Sequence, residues 1–476
     1  MYADARPSVS AAVVVGSNHS PSKTIPDLHY ADDDAVNSAR TLELLGAKIF
    51  LLTTPDPETR ELFPQAAPRA AATRAEVAAA VRAALDYLAD ARKSGYRTRF
   101  YFFFAGHGDI AAGRPFLALD DGPLFRDDLA LLLRDSRATA HHVVIDACHA
   151  SQFVADRGPG GTRDTLTPGF SRTNGPAWPA HTGLLTARSV GDKAHEWTEF
   201  QAGVFSHEVR SGLLGAADAD GNGRISYREL GAFIHRANES IVNRKYRPEV
   251  VTQPPDGAGD AIFVDLPEGP LALELDTNPG RVFIDSEAGV RILDLHPAPG
   301  THPRVLLPAD LGVMFVNRVG TDREIRLEPQ KGAHILLSSL TPTRARARDR
   351  GAAHESFRHL FERAFDVATV RGFDPDLTVA LEVPPETESA NPRLLPWTLT
   401  AAGASVNAVS LGLVLLGHRQ AQEAQGLSGV DLEPRIHDIE RTNRAAMWTG
   451  IVGAALLVGG LGWLYLSHGT GGSNGD

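Results

Sequence analysis

The sequence predicts an α/β fold, a mostly parallel sheet sandwiched by helices, followed by a small β-rich domain and C-terminal transmembrane segments. Three observations carry this. Short apolar runs such as "AAVVV" (11–15), "RFYFFFA" (99–105) and "GLLTA" (183–187) alternate with stretches at helical period. Strands buried on both faces read as such unbroken runs. After residue 250 the pattern becomes short alternating stretches between turn residues, and residues 447–466 carry no charge at all.

Residues 11–15 and 47–52 ("AKIFLL") are the first strands. Between them, "ADDDAVNSARTLELLGA" sets Ala35, Ala39, Leu42 and Leu45 on one helical face. "TRAE" (73–76) has capping-box spacing, and Val77, Val81, Leu85 and Leu88 continue at helical period until Gly95. A strand at 99–105, a helix near 127–134 and strands at 142–147 and 183–187 follow. This alternation predicts a parallel sheet covered on both faces. In open sheets of this kind ligands bind beyond the carboxyl ends of the strands. His107 and Cys148 each lie just past such an end, so adjacent strands would hold them side by side.

With 476 residues, 43% of them hydrophobic, the chain can build two or three cores. Residues 8–250 form the first domain, and "TQPPDGAGD" (252–260) marks a linker over 251–264 by its Pro and Gly content. "LALELD", "RVFID", "RILDL", "GVMFVNR" and "EIRLEP" then predict a small antiparallel β domain over 265–345, with no partner evident. A helical connector (346–393) contains "HESFRHLFERAFD" (354–366), an amphipathic helix through Phe357, Leu360, Phe361 and Phe365.

"MWTGIVGAALLVGGLGWLYL" (447–466) matches a bilayer core in length, with Trp448, Trp463 and Tyr465 near its ends. Its five glycines would make a poor soluble helix. Residues 394–417 are a weaker second span because of Pro396 and Asn407; a charged segment (418–446) separates the two, and 467–476 is a short tail. The N-terminus has no secretory signal pattern. With one span, Arg419, Arg435, Arg441 and Arg444 before it put everything before residue 447, the first domain included, in the cytoplasm. With two spans and a cytoplasmic N-terminus, those arginines would lie outside, against the positive-inside rule.

A net charge of -11 argues against a nucleic-acid partner. The single cysteine excludes an intrachain disulfide and any cysteine-based zinc site. It does suit a nucleophile, which needs a base to take its proton, and histidine is the usual one. Backbone N–H groups of Cys148 and Gly108 would supply donors for the oxyanion. A metal site made by His107, His141, His142 and His149 is the competing reading, but neighbouring strand residues point to opposite faces.

"FYFFFAGHG" and "VVIDACHA" resemble the histidine and cysteine strands of the caspase clan of cysteine peptidases, within it bacterial metacaspase-like proteins. "AVVVGSNHSPSKTIPDLHYADDDAVNSARTLELLGA" is similar to that family's opening segment, and "LLTARSVGDKAHEWTEFQAGVFSHEVRSGLLG" to its closing strand and helix. The likeness covers residues 10–250. It implies a caspase-like fold, with His107 as general base and Cys148 as nucleophile. It also implies that Asp34 and Asp146 line the S1 pocket, giving protein or peptide substrates with Arg or Lys at P1. Asp34 has a structural alternative, since Asp32, Asp33 and Asp34 all suit a helix N-terminus. Two positions depart from the family pattern: Ala150-Ser151 stands where Ser-Gly is usual, and Ala105 replaces a frequent serine.

"DADGNGRISYRE" (218–229) fits an EF-hand calcium loop. Asp218, Asp220 and Asn222 stand at the first three ligand positions, Arg224 offers its carbonyl, Ser226 is at nine and Glu229 at twelve. Gly223 makes the turn and Ile225 fills the apolar eighth position. Ca2+ is therefore the expected ion, and no organic cofactor is expected. The Gly/Pro-rich stretch 151–181 carries Arg157, Arg163 and Arg172, candidate autocleavage sites. Together these readings predict a membrane-anchored cysteine endopeptidase. The alternative is a catalytically inactive calcium-binding membrane scaffold of the same fold.

Overall fold

The computed structural model describes residues 7–20, 26–147, 177–188, 203–241, 249–345, 360–374 and the single positions 410, 419, 442 and 447. Nearly all of them belong to the first of two compact units, Met1–Leu381; the second is Glu382–Asp476.

The framework is β1 (Ser8–Ser17), α1 (Ala31–Leu44), β2 (Ala47–Thr53), α2 (Pro57–Leu62), α3 (Arg74–Lys93) and β3 (Arg97–Gly106). A hairpin region follows, β4 (Gly108–Ala111), β5 (Arg114–Leu119) and β6 (Gly122–Phe125), then α4 (Arg126–Leu133) and β7 (Ala140–Asp146). β8 (Thr182–Arg188), α5 (Val204–Ser211), β9 (Arg224–Ser226), α6 (Tyr227–Asn238) and β10 (Glu249–Gln253) complete the domain. The main sheet has the order β10-β8-β7-β3-β1-β2, parallel except for β10 against β8.

Successive side chains of the apolar strands go to opposite faces, and both faces are covered. Phe100, Phe102, Phe104, Val143 and Ile145 pack with α3 and α4 through Val77, Val81, Leu88, Leu129 and Leu133. Tyr101, Phe103 and Val144 pack on the other side with Ala35, Leu42, Phe205, Val209 and Leu230. Burying each such phenylalanine contributes roughly 1.5–3 kcal/mol. Thr73 caps α3, accepting a hydrogen bond from the Glu76 N–H at 3.3 Å, as the capping signal predicts. The sheet β4-β5-β6 directly after His107 has no counterpart in the sequence reading.

Two expectations are corrected. The proposed linker 251–264 is built into the structure: β10 closes the edge of the main sheet, and β11 (Ile262–Asp265) pairs antiparallel with β9. Pro and Gly confine only the turn Pro255–Gly257 between them, while Val250, Val251, Phe263 and Val264 are buried. Of the expected amphipathic helix, residues 360–366 are not helical. The Phe361 N–H donates to the Ala237 carbonyl (3.0 Å) and the Phe365 N–H to the His296 carbonyl (2.8 Å), so tertiary partners displace the helical ladder. A short helix begins only at Val367, capped by Asp366. Residues 354–359 lie outside the described residues, as do both proposed membrane spans apart from Ser410 and Met447. Among the described residues no helix is long and apolar enough to cross a membrane.

The expected β domain comprises β12 (Leu271–Glu274), β13 (Val282–Ser286), β14 (Arg291–Leu295), β15 (Arg304–Leu307), β16 (Met314–Arg318), β17 (Arg323–Leu327), β18 (His334–Leu336) and β19 (Thr343–Arg344). They form sheets of order β15-β12-β18 and β14-β13-β16-β17-β19, antiparallel except for β12 against β18. A buried polar seam joins this domain to α5. His207 Nε2 lies 3.0 Å from Asp294 Oδ2, Arg291 Nη1 donates to the same oxygen at 2.8 Å, and the Asp294 N–H donates to Ser211 Oγ at 3.1 Å. Burial lowers His207 from its usual range, while its hydrogen bond to Asp294 opposes the fall. Beneath the main sheet, His142 stacks on Tyr101 with centroids 4.8 Å apart, Phe263 lies against both, and the Tyr101 hydroxyl donates to the Phe263 carbonyl at 2.7 Å.

Candidate active site

β3 and β7 are adjacent parallel strands, in register from Arg99 opposite Ala140 to Ala105 opposite Asp146. Both therefore end at the same level. His107 follows the last residue of β3 and is buried; Asp146 is the last residue of β7. Cys148, two residues further on, lies outside the described residues, as do Arg157, Arg163 and Arg172.

His107 Nε2 is 3.1 Å from the carbonyl oxygen of Pro26. A carbonyl can only accept, so Nε2 carries the proton, and Nδ1 is the ring nitrogen able to take one up. The backbone behind the ring is tied down as well: the Ala118 N–H of β5 donates to the His107 carbonyl at 2.9 Å. The hairpin that the sequence reading missed thus holds the His107 backbone, and Gly108 opens its first strand. Pro26 was also missed, because a backbone acceptor leaves no side-chain signal.

Asp34 and Asp146 do come together. Asp34 lies in the first turn of α1 and Asp146 at the end of β7; both converge on the start of α5. The Ser206 N–H and Oγ–H donate to Asp146 Oδ2 at 3.1 and 2.6 Å. Arg210 Nη1 donates to Asp34 Oδ1 at 2.8 Å, and the Gly203 N–H donates to the same carboxylate. Glycine at 203 lets the two acids approach: a side-chain carbon there would displace Asp34 Oδ2 and lie 3.2 Å from Asp146 Oδ2. A void beside Asp34 and Ser206, lined also by Ala35, Ser38, Phe103, Ala105 and Val144 but not by Asp146 or Arg210, measures about 10 Å³. That is room for about one water molecule.

Burial pushes the Asp34 carboxyl up to about 7, with Asp146 adding to the rise and Arg210 opposing it. Burial also raises Asp146, against its two bonds from Ser206. All three acids stand in the first turn of α1, and Asp32 is engaged outside the helix, accepting from Asn18 Nδ2 and from the Asp56 N–H, both at 2.8 Å. Arg210 and Ser206 escaped the sequence reading. A sharper signal was available, since Arg210 is a charge between the apolar Val209 and Leu213 of a buried helix.

His141 and His142 do not join His107. His141 Nε2 meets Ser136 Oγ at 2.7 Å on one face of β7, and His142 Nδ1 meets the Tyr227 hydroxyl at 2.8 Å on the other. Among the described residues, one group of carboxylates is arranged to hold an ion: oxygens of Asp218, Asp220 and Glu229 lie within 4.8 Å of one another. The loop is wound inward. Asp218 accepts from the Asn222 and Gly223 N–H groups, both at 3.0 Å, and Gly223 turns through φ +75°. Ile225 is fully buried, and Glu229 caps α6 reciprocally with Ser226. Burial raises both Asp218 and Glu229. An all-oxygen donor set of this charge fits calcium.

The profile of the caspase domain of C14 peptidases matches residues 9–250, just over half of the chain. None of the curated proteins compared matches. Among solved structures the chain is similar to one titled "structure of pro-sf-caspase-1", with 14% identity, coverage of 44% of this chain and 76% of that chain, and a TM-score of 0.26. The extent of the profile match, on a six-stranded sheet whose strand ends carry His107 and Asp146, makes this chain a member of the C14 peptidase family with a caspase domain.

Proposed function

We propose that the chain is a membrane-anchored cysteine endopeptidase cleaving after Arg or Lys, with Cys148 and His107 as its dyad and calcium held by the 218–229 loop. The observation that supports it most is the shared level of the β3 and β7 ends, with His107 next in the chain after one and Cys148 two residues after the other. In this reading His107 Nδ1 takes the Cys148 proton and the thiolate attacks the scissile carbonyl. The N–H groups of Gly108 and Cys148 hold the oxyanion. The C–N bond breaks as His107 protonates the leaving amine, and water then hydrolyses the thioester. Asp34 and Asp146 supply negative charge for a basic P1 side chain, and residues 447–466 anchor the protein.

The test is a thiol-reactive Arg-ending peptide probe on purified full-length protein. Wild type should be labelled at Cys148 and Cys148→Ala should not; fragment masses from the same incubation should show cleavage after Arg157, Arg163 or Arg172 in wild type alone. Absence of labelling in both would leave the calcium-binding scaffold as the function.

Calcium would be held by Asp218, Asp220, Asn222, the Arg224 carbonyl, Ser226 and Glu229, and would neutralise carboxylates that repel one another. Saturating calcium is expected to stabilise the wild type by about 2–3 kcal/mol at a hundredfold excess over Kd, read as a rise in Tm that a chelator reverses. Glu229→Gln should lose that rise. An equal rise in the variant would exclude this loop.

A further inference from the structure

We infer that Arg210 is a specificity-determining residue: it occupies the acidic P1 position from inside the chain, so the pocket offers substrate one carboxylate rather than two. This rests on the proposed peptidase reading. A pocket with two free carboxylates would grip a guanidinium from two sides and favour Arg strongly. Here one of them is already taken. Asp34 receives Arg210 Nη1 at 2.8 Å and the Gly203 N–H, and Arg210 is itself buried against it. Asp146 receives the Ser206 N–H and Oγ–H on Oδ2; among the described residues none donates to Oδ1. Arg210 also acts electrostatically on Asp146, so its charge is shared across the pair.

Arg210 Nη1, 2.8 Å from Asp34 Oδ1, stands where a second substrate contact to that carboxylate would have to be made. A substrate cation therefore meets a pocket whose second acid is neutralised, and it is recognised mainly by Asp146. The substrate class that follows is a peptide with either Arg or Lys at P1, since one carboxylate serves a point charge as well as a fork. Discrimination against neutral P1 residues is modest.

Fluorogenic peptides differing only at P1 test this on the full chain. In wild type, Arg and Lys peptides are expected to be cleaved within about threefold of each other, and within about tenfold of Leu. Arg210→Met leaves Asp34 open to a substrate cation, which takes over the role of Arg210 in holding it ionised, and should raise the Arg-to-Leu ratio about tenfold; adding Asp34→Asn should cancel that rise, and Arg210→Lys should keep the wild-type ratio. A wild type preferring Arg over Leu by more than about a hundredfold, or an unchanged or lowered ratio in a folded Arg210→Met protein, overturns the proposal. The wild-type panel decides even if Arg210→Met fails to fold. Should no peptide be cleaved and Cys148 stay unlabelled, the peptidase reading falls by itself. The same comparisons are then read as equilibrium binding of Arg-, Lys- and Leu-ending peptides to Cys148→Ala.

Discussion

His107→Gln is expected to lower kcat/KM for peptide hydrolysis by about a thousandfold or more while leaving Tm nearly unchanged. The glutamine amide can still donate to the Pro26 carbonyl, which His107 Nε2 meets at 3.1 Å, so the loop after β3 keeps its anchor. What is lost is the nitrogen that accepts the thiol proton. At neutral pH the Cys148 thiol would stay mostly protonated, and residual activity should climb as pH rises through about 8.5, the ordinary thiol range. Wild type should show no such dependence there. Stopped assays from pH 6 to 9.5 separate the two. A variant matching wild type at pH 7 would remove His107 from the chemistry.

Asp294→Ala should be the most damaging single change to stability, about 3–5 kcal/mol by denaturant unfolding. Asp294 is fully buried, and its carboxylate faces Arg291 at 2.8 Å, His207 at 3.0 Å and Arg281 at 3.9 Å. Burial alone would raise the carboxyl, but Arg291, His207 and Arg281 together hold it well below the usual carboxylate range. Truncation takes this carboxylate from Arg281 and His207 and leaves Arg291 with Asp285 in its place. Because the folded carboxyl is depressed, its contribution is present above about pH 4 and is lost as pH falls through the lower folded value. The gap between wild type and Asp294→Ala should therefore narrow in strong acid. A loss below about 1 kcal/mol at neutral pH would mean that the seam is solvated.

The strands of the main sheet were legible because a parallel strand buried on both faces has no polar side to confuse its pattern: 99–105 and 183–187 fall inside β3 and β8. The residues of 251–264 were misread because Pro and Gly report where the backbone turns, not how much strand lies on either side. Phe357, Leu360, Phe361 and Phe365 have helical spacing, yet in 360–366 that spacing serves an irregular segment whose rings fill gaps beside Phe233. In the site, motif residues could be found one by one. The Asp34–Arg210 pair could not, since 176 positions separate its members in the chain, and neither local period nor composition reports such a distance.

The family match stops at residue 250, inside β10, whereas the aromatic stack under the sheet depends on Phe263. A chain shortened at that match would lose Phe263 and Asp265 together. The Tyr101 hydroxyl would be left without its carbonyl and Arg99 without its 2.6 Å carboxylate partner. Ancestry and packing thus draw different borders for this caspase domain, and a truncation meant to isolate it should follow packing.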